Sequence, residues 1–202
     1  MNWLAHVYLS EPDFEFRMGN LLADFVRGPE RSRMSPTFIR GTERHVVIDA
    51  FTDRHPIVRR SRARIQPQCR RFSGILVDIF YDHFLARRWP LYCREPFEQF
   101  TRSFYADMVA CPMELPDDAR TVVDHIVATD RFGAYREVSG IHGTLERFSR
   151  RLSEHWNKKV DLTMAVVDLE TGYDQFDSDF QEFFAELQER VRPTEAQRST
   201  LD

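Results

Sequence analysis

Histidine and aspartate recur at helical spacing in one short segment, where His45, Asp49 and Asp53 follow one another at intervals of four residues. On an α-helix this spacing places the three side chains along one face, each next to the following one. Two carboxylates at such a spacing repel each other by about 0.2–0.5 kcal/mol. A divalent cation held between them would turn that repulsion into binding, so the segment predicts part of a metal site.

A second pair of acids, Asp78 and Asp82, lies inside the segment Ile75–Trp89, which is apolar on most sides. This pattern predicts a buried central helix, and buried carboxylates without partners cost several kcal/mol each. The pair therefore needs either a cation or a shared proton, and metal coordination is the simpler solution. His83 follows directly and points about 100° around the helix, from where it could bind a metal or donate to a carboxylate.

Two further candidates lie near the N-terminus. Asp24 is surrounded by apolar residues close to a predicted helix end at Gly28, where the helix dipole disfavours a carboxylate. We expect Asp24 to be at least partly buried and to be compensated by an arginine or a metal. His6 lies on an apolar stretch, where a histidine can be either a metal ligand or a hydrogen-bonded core residue. The predicted metal ligands are thus His6, Asp24, His45, Asp49, Asp53, Asp78 and Asp82.

The chemistry of this ligand set narrows the choice of metal. Histidine and aspartate together are unsuited to calcium and to metals that prefer thiols. They suit Mn²⁺, Fe²⁺, Zn²⁺ or Mg²⁺, and the predominance of carboxylates favours Mn²⁺ or Mg²⁺. A metal held inside a helical bundle in this way could acidify a water molecule and neutralise negative charge on a phosphoryl group.

The elements that must position these residues are predicted to be helices. Apolar residues recur every three or four positions in Thr144–Trp156 and in Leu169–Val191, as on one face of a helix. Eight glycines and ten prolines divide the chain into pieces of helical length, and no convincing strand pattern is found. We predict an all-α fold, a single-domain bundle of about seven or eight helices over residues 1–191, followed by a polar C-terminal tail, residues 192–202.

Positive charge is concentrated in one part of a chain whose formal net charge is −4. The segment Arg54–Val77 holds seven arginines and no acidic residue, whereas the C-terminal part is acidic. Such asymmetry indicates an anionic partner, and arginine is suited to binding carboxylates and phosphates. Alternatively, these arginines form a solvated face or pair with the acidic C-terminal helices. The negative total argues against a general nucleic-acid-binding protein.

Membrane and secretory signals are missing from the sequence. No apolar run approaches the roughly 18 residues that are needed to span a bilayer. The first nine residues lack the basic start of a signal peptide, and three isolated cysteines argue against a disulfide framework. We expect a cytoplasmic protein that does not bind membranes, and its oligomeric state is left open.

Four blocks of the sequence, in their order and spacing, resemble the acyl carrier protein (ACP) phosphodiesterase family. These blocks are Met1–His6, Gly19–Gly28, His45–Asp53 and Asp78–Leu85, and the similarity extends over about Met1–Val191, with a later portion at Tyr135–Arg151. The resemblance implies a manganese-dependent enzyme, distantly related to HD-type phosphohydrolases, that cleaves 4′-phosphopantetheine from the serine of holo-ACP to give apo-ACP. The adjacent His-Asp order of HD-type enzymes is absent, because Asp82 precedes His83, and this leaves the individual ligands open.

A mechanistic hypothesis assigns roles to individual residues. Asp24, Asp82 and His83 are predicted to be catalytic, and the acid that protonates the leaving serine could be His83 or His55. The basic residues would dock the acidic carrier protein, through Arg27, Arg54, Arg59, Arg60, Arg62 and Arg64. Two other functions remain open: an HD-like phosphohydrolase of a small nucleotide or phosphoester, and a non-enzymatic helical module that binds an acidic protein.

Overall fold

The structure, a computed structural model, describes residues 1–192, and all regular secondary structure in this part of the chain is helical. It contains thirteen α-helices and one short 3-10 helix, Pro67–Phe72. The α-helices are α1 (Trp3–Tyr8), α2 (Phe14–Leu22), α3 (Gly28–Arg31), α4 (Pro36–Arg54), α5 (Pro56–Arg64), α6 (Ser73–Arg87), α7 (Trp89–Tyr92), α8 (Phe97–Val109), α9 (Asp117–Ala128), α10 (Arg131–Ala134), α11 (Val138–Trp156), α12 (Ala165–Thr171) and α13 (Tyr173–Val191). None of these helices could span a membrane, because none is both long and apolar enough.

The predicted all-α fold is confirmed, and the buried apolar side chains form one core. Eight of the thirteen described helices have nine residues or more, which agrees with the seven or eight predicted. The other five have four to seven residues each and are too short for apolar periodicity to reveal. The helical face predicted over Leu169–Val191 is divided between α12 and α13 at Gly172. Of the predicted tail, residues 193–202 lie outside the described residues.

Helix α6 runs through the core, as its apolar sequence predicts. It contacts α1, α5, α11 and α13, and ten of its residues are buried. The rings of Phe80, Tyr81 and Phe84 pack against phenylalanines of α13, with ring centroids 5.4–6.1 Å apart. This aromatic layer anchors the helix that carries Asp78 and Asp82.

The buried carboxyl group of Asp82 holds helix α1 against α6. Its two oxygens accept hydrogen bonds from the backbone N–H groups of Leu4, at 2.8 Å, and Ala5, at 3.1 Å. These donors belong to the first turn of α1, where the N-cap residue Asn2 provides no side-chain hydrogen bond. Asp82 therefore supplies the missing cap and fixes the helix that carries His6.

Helices α2 and α4 approach each other so closely that only glycine fits at their contact. A Cβ atom on Gly19 would lie 2.0 Å from the carbonyl oxygen of Phe38, and one on Gly41 would lie 2.2 Å from the carbonyl oxygen of Phe16. Both carbonyl oxygens belong to the backbone, so the clash cannot be relieved by rotating a flexible side chain. The contact brings the end of α2 against the face of α4 that carries predicted metal ligands.

We predict that Gly41→Ala lowers the free energy of unfolding by about 1–3 kcal/mol, because the backbone of α2 must move to admit the methyl group. Gly74→Ala is the matched control, since a Cβ atom there would meet only the guanidinium group of Arg62, at 3.4 Å. Alanine favours a helix over glycine by up to about 1 kcal/mol, so the control should be neutral or stabilising. Urea denaturation followed by circular dichroism measures both variants, and equal stability would contradict this account of the contact.

Candidate metal centre

His6 on α1 and the pair His45 and Asp49 on α4 bring their ligand atoms within 4.8 Å of one another. The Oδ1 atom of Asp49 lies 3.2 Å from Nε2 of His6, and its Oδ2 atom lies 3.1 Å from Nε2 of His45. The two imidazole rings stack with their centroids 4.2 Å apart. Within residues 1–192, no other group of three histidine, cysteine or acidic side chains has this geometry. We call these three residues the His–Asp cluster.

Asn20, near the end of α2, orients both histidine rings. Its side-chain oxygen lies 2.8 Å from Nδ1 of His6, and its backbone carbonyl oxygen lies 2.8 Å from Nδ1 of His45. The amide nitrogen of Asn20 donates to the carbonyl oxygen of His6 and to the hydroxyl of Ser10, which fixes the orientation of its side chain. Each Nδ1 atom is therefore a donor, and each Nε2 atom faces Asp49; Nε2 of His6 also lies 3.2 Å from the carbonyl oxygen of Met1. The Nε2 atoms are thus the ones that could bind a metal once they carry no proton.

Two further carboxylates lie at the margin of the His–Asp cluster. Oδ2 of Asp24 is 3.7 Å from Nε2 of His45. The ammonium group of Met1 lies between two acids, 3.3 Å from Asp49 and 3.5 Å from Asp78. The Oδ1 atom of Asp78 is buried, and it is the atom that pairs with the Met1 ammonium group. This ion pair already supplies positive charge beside the acids of the cluster.

Asp24 is more exposed than the sequence predicts. Helix α2 ends at Leu22 rather than near Gly28, and the side chain of Asp24 beyond it is 65% exposed. The guanidinium group of Arg27, 3.7 Å away, supplies part of the expected compensating charge. Asp49 is 40% exposed, whereas the two histidines are buried. The His–Asp cluster is therefore closed on its histidine side and open to solvent on its carboxylate side.

Burial and nearby charges set the protonation of this site. Burial lowers the pKa of His6. Burial also opposes protonation of His45, but the neighbouring carboxylates of Asp24 and Asp49 outweigh it and raise the pKa of His45 to about 9. Burial would raise the pKa of the Asp49 carboxyl group, but the contacts of Asp49 with the two histidines hold this pKa well below its usual range. Burial raises the pKa of the Asp78 carboxyl group. In the protein without a bound metal, the acids thus favour the protonated form of His45. A bound cation could balance the same acids in place of that proton.

The donors present here fit a divalent metal ion. Two imidazole nitrogens and several carboxylate oxygens suit Mn²⁺, Fe²⁺ or Zn²⁺, and the carboxylates also suit Mg²⁺. The carboxylates of Asp24 and Asp49, which raise the pKa of His45 against the effect of burial, favour positive charge at this place. His6, His45 and Asp49 would hold such an ion, with Asp24 and Asp78 beside them.

The structure does not bring Asp82 or His83 into the His–Asp cluster. Both oxygens of Asp82 are used by α1, and burial raises its pKa to about 8 against the effect of the two N–H donors. His83 lies between the carbonyl oxygen of Tyr135, 2.7 Å from Nδ1, and the hydroxyl of Tyr173, 2.9 Å from Nε2. Both side chains are buried and fully hydrogen-bonded, so each has a structural explanation that is independent of catalysis.

Asp53 and His55, near the end of α4, also lie outside the His–Asp cluster. Asp53 is exposed and pairs with Arg62 of α5 at 2.7 Å. Nε2 of His55 lies 3.2 Å from a carboxylate oxygen of Glu186 on α13. Of the three predicted ligands on α4, only His45 and Asp49 therefore belong to the cluster, because Asp53 lies one turn further along the helix.

The predicted docking arginines divide into paired and free groups. Arg60 and Arg64 of α5 both pair with the buried carboxylate of Asp179 on α13. This confirms, for these two residues, the alternative that an acidic C-terminal helix neutralises the basic segment. Arg54 and Arg59 are exposed and form no ion pair within the part of the chain that the structure describes. We call these two residues the free arginine pair.

Sequence reasoning missed Asn20 as a residue of the site. The chain around it, from Phe16 to Leu22, is almost entirely buried, and Asn20 itself is fully buried. A polar residue within such an apolar stretch must find hydrogen-bond partners, which is the signal that could have identified it. Its backbone bond to His45 leaves no trace in the sequence, since any residue has a carbonyl group.

Comparison with known proteins shows the family of this chain. A sequence model of the family "acyl carrier protein phosphodiesterase" matches residues 1–187. A relative from Escherichia coli O6:H1 (strain CFT073) is 29% identical over 95% of this chain and 97% of its own length. Relatives from Enterobacter sp. (strain 638) and Salmonella agona (strain SL483) are 31% and 29% identical, each over 93% of this chain and 95% of its own length. All three relatives are named acyl carrier protein phosphodiesterase, and no solved structure matches the chain significantly. The chain therefore belongs to the acyl carrier protein phosphodiesterase family.

Proposed function

We propose that this protein hydrolyses the phosphodiester that joins 4′-phosphopantetheine to a serine of holo-ACP, releasing apo-ACP and 4′-phosphopantetheine. The observation that supports the proposal is the convergence of His6, His45 and Asp49 within 4.8 Å, at a place open to solvent. The family gives the substrate protein and the class of bond. The cluster gives a place on the surface where such a bond could be held and attacked by water.

A divalent metal ion, most suitably Mn²⁺, is the cofactor of this proposal, and Mg²⁺ or Fe²⁺ is also compatible with the donors. When bound, it would acidify water and offset the negative charge that grows on the phosphoryl oxygens. His6, His45 and Asp49 would bind the ion, with Asp24 and Asp78 as neighbouring acids.

The charge of the site favours a bound cation when a phosphodiester approaches. The carboxylates of Asp24, Asp49 and Asp78 are 65%, 40% and 22% exposed, so all three face the open side. The Met1 ammonium group, Arg27 and His45 offset part of their charge. A phosphodiester is itself an anion, so a divalent cation would further reduce its repulsion by these acids. The same acids, once balanced by a cation, would orient the substrate rather than repel it.

Incubation of the protein with holo-ACP and Mn²⁺ should remove the 4′-phosphopantetheine arm, and mass spectrometry of the carrier protein measures the loss. A chelator should abolish the reaction, and added Mn²⁺ should restore it. His45→Ala and Asp49→Ala should each lower the rate at least about 100-fold, because even partners that only orient a metal ligand are worth about 10–100-fold.

The matched control is His142→Ala, which removes an exposed histidine of α11 that is no part of the His–Asp cluster and should keep the wild-type rate. Holo-ACP that retains its arm with every divalent metal would exclude the proposed reaction. Full activity of His45→Ala would instead show that the cofactor is bound elsewhere.

Asn20 should act as a positioning residue for His6, and the variant Asn20→Leu tests this role. It removes the acceptor of the His6 Nδ1–H group but leaves the backbone carbonyl that binds His45. We expect the affinity for Mn²⁺, measured by isothermal titration calorimetry, to fall about 10–100-fold. Nitrogen-15 NMR of the Zn²⁺-loaded protein should show His6 protonated at Nδ1 in the wild type and no longer held in that tautomer in the variant.

Asn20→Asp provides the conservative comparison, because it keeps an oxygen that can accept from Nδ1 of His6. It should recover part of the lost metal affinity. If Asn20→Leu folds and binds Mn²⁺ as tightly as the wild type, the positioning role is wrong, even though the rest of the cluster could still be the metal site.

The acidic carrier protein would dock on the free arginine pair rather than on the whole basic segment. Arg60 and Arg64 already share the buried carboxylate of Asp179, and a second acid would have to compete with it. Arg54 and Arg59 carry exposed charge, at the junction of α4 and α5. Complementary charge of this kind mainly speeds association and orients the partner.

We therefore expect Arg54→Glu combined with Arg59→Glu to raise the KM for holo-ACP by roughly tenfold at low salt, with little change in kcat. The effect should shrink as salt is added, because exposed charges are screened. Hydrolysis of a small phosphodiester, which does not need the docking surface, should be unaffected. Arg102→Glu, a charge reversal at an exposed arginine of α8, is the matched control. An equal rise of KM in the control would show a general charge effect instead of a docking site.

A further inference from the structure

A second group of charged side chains lies on helices α9, α10 and α11, and nothing in the proposed function uses it. Arg131 is the first residue of α10, and Thr144, Arg147 and Arg151 lie on α11 at spacings of three and four residues. This spacing places the three α11 side chains along one face of the helix. His125, in the last turn of α9, completes the group.

Arg131 is the buried centre of this group. The residue is 5% exposed, and its guanidinium group donates to the hydroxyl of Thr144 at 2.7 Å and to Nε2 of His125 at 2.8 Å. Its carbon Cζ lies 5.6 Å from the ring centroid of Trp3. Neither hydrogen-bond partner carries a negative charge, since a histidine that accepts at Nε2 is neutral. A buried guanidinium group is thus held by neutral acceptors alone.

The positive charge of this group is not balanced by acids of the described chain. Arg131, Arg147 and Arg151 form no ion pair within residues 1–192. The Nε atoms of Arg131 and Arg147 are buried and donate to no described residue. Burial and the three arginine charges together lower the pKa of His125. Buried donors without acceptors are costly, so an acceptor oxygen from outside the chain would stabilise this group.

The group is open on one side. Arg147 is partly exposed and Arg151 is exposed, so a ligand could reach these two guanidinium groups from the surface of α11, with the charge of Arg131 buried beneath them. Glycine at position 143 leaves space near Arg147, since a Cβ atom there would meet only the end of that side chain, at 3.5 Å. The group therefore combines one buried positive charge with two that are accessible from the surface.

We propose that Arg131, Arg147 and Arg151 form an oxyanion-binding site that receives a phosphate group. Guanidinium groups bind carboxylate and phosphate through paired N–H···O contacts. A phosphate monoester carries nearly two negative charges and three free oxygens at neutral pH, which matches three guanidinium groups better than a single carboxylate does. The site is separate from the His–Asp cluster and does not depend on the proposed reaction.

Calorimetric titration of the metal-free protein with inorganic phosphate, in the presence of a chelator, tests the proposal. The wild type should bind one phosphate ion saturably. Arg147→Gln combined with Arg151→Gln should weaken binding at least about tenfold, because each charged hydrogen bond that is lost contributes substantially. Arg147 is partly exposed and Arg151 is exposed, so the variant should fold, and circular dichroism verifies this.

Arg150→Gln is the matched control, since Arg150 is an exposed arginine of α11 that is not among the charges that lower the pKa of His125. It should bind phosphate as the wild type does. In NMR spectra of the wild type, the ring signals of His125 should shift as phosphate is added, because Arg131 bonds directly to that ring. Acetate should bind more weakly than phosphate.

Three results would overturn the proposal: no saturable phosphate binding, equal binding by the double variant and the wild type, or equal affinity for acetate and phosphate. The last would assign the site to carboxylates. Binding of 4′-phosphopantetheine with an affinity well above that of inorganic phosphate would support the site and identify the ligand as a phosphoester molecule. Equal affinity of the two would support the site and assign it to phosphate itself.

Discussion

The structure of the candidate site depends on one steric constraint, the contact between the backbones of α2 and α4. Because Gly19 and Gly41 have no Cβ atom, the two helices lie close enough for the backbone carbonyl of Asn20 to reach Nδ1 of His45 at 2.8 Å. A side chain at either glycine would force the helices apart and separate that donor from its acceptor. His45 is thus oriented by a main-chain acceptor, which the fold can hold more rigidly than a flexible side chain.

Two clusters in the described part of the chain concentrate charge, and the signs are opposite. At the His–Asp cluster, the carboxylates of Asp24 and Asp49 raise the pKa of His45 to about 9. On α10 and α11, the Nε atoms of Arg131 and Arg147 lack acceptors. A fold that only had to be stable would gain by pairing such groups internally, as Asp179 does with Arg60 and Arg64. These two clusters, in which several like charges lie together, are therefore suited to binding a ligand of opposite charge.

The helical periodicity of the sequence is enough to predict the fold class, the longer helices and the pairing of His45 with Asp49, since all of these depend on local geometry. Contacts between distant segments are not accessible in this way. Spacing alone cannot show that Asp179, which lies over one hundred residues further along the chain, forms ion pairs with Arg60 and Arg64. Nor can it show that the asparagine before Leu21 holds two imidazole rings, one of them through its backbone.

Asp82 illustrates how a correct physical requirement can have an unexpected solution. The sequence indicates that a carboxyl group inside the apolar helix α6 must be compensated, and a metal is the simplest candidate. The structure compensates it instead with two N–H groups from the first turn of α1, where the helix dipole also favours negative charge. Burial raises its pKa to about 8, so proton uptake removes part of the remaining cost. This arrangement still contributes to the candidate site, because the helix that Asp82 holds in place is the one that carries His6 into the cluster.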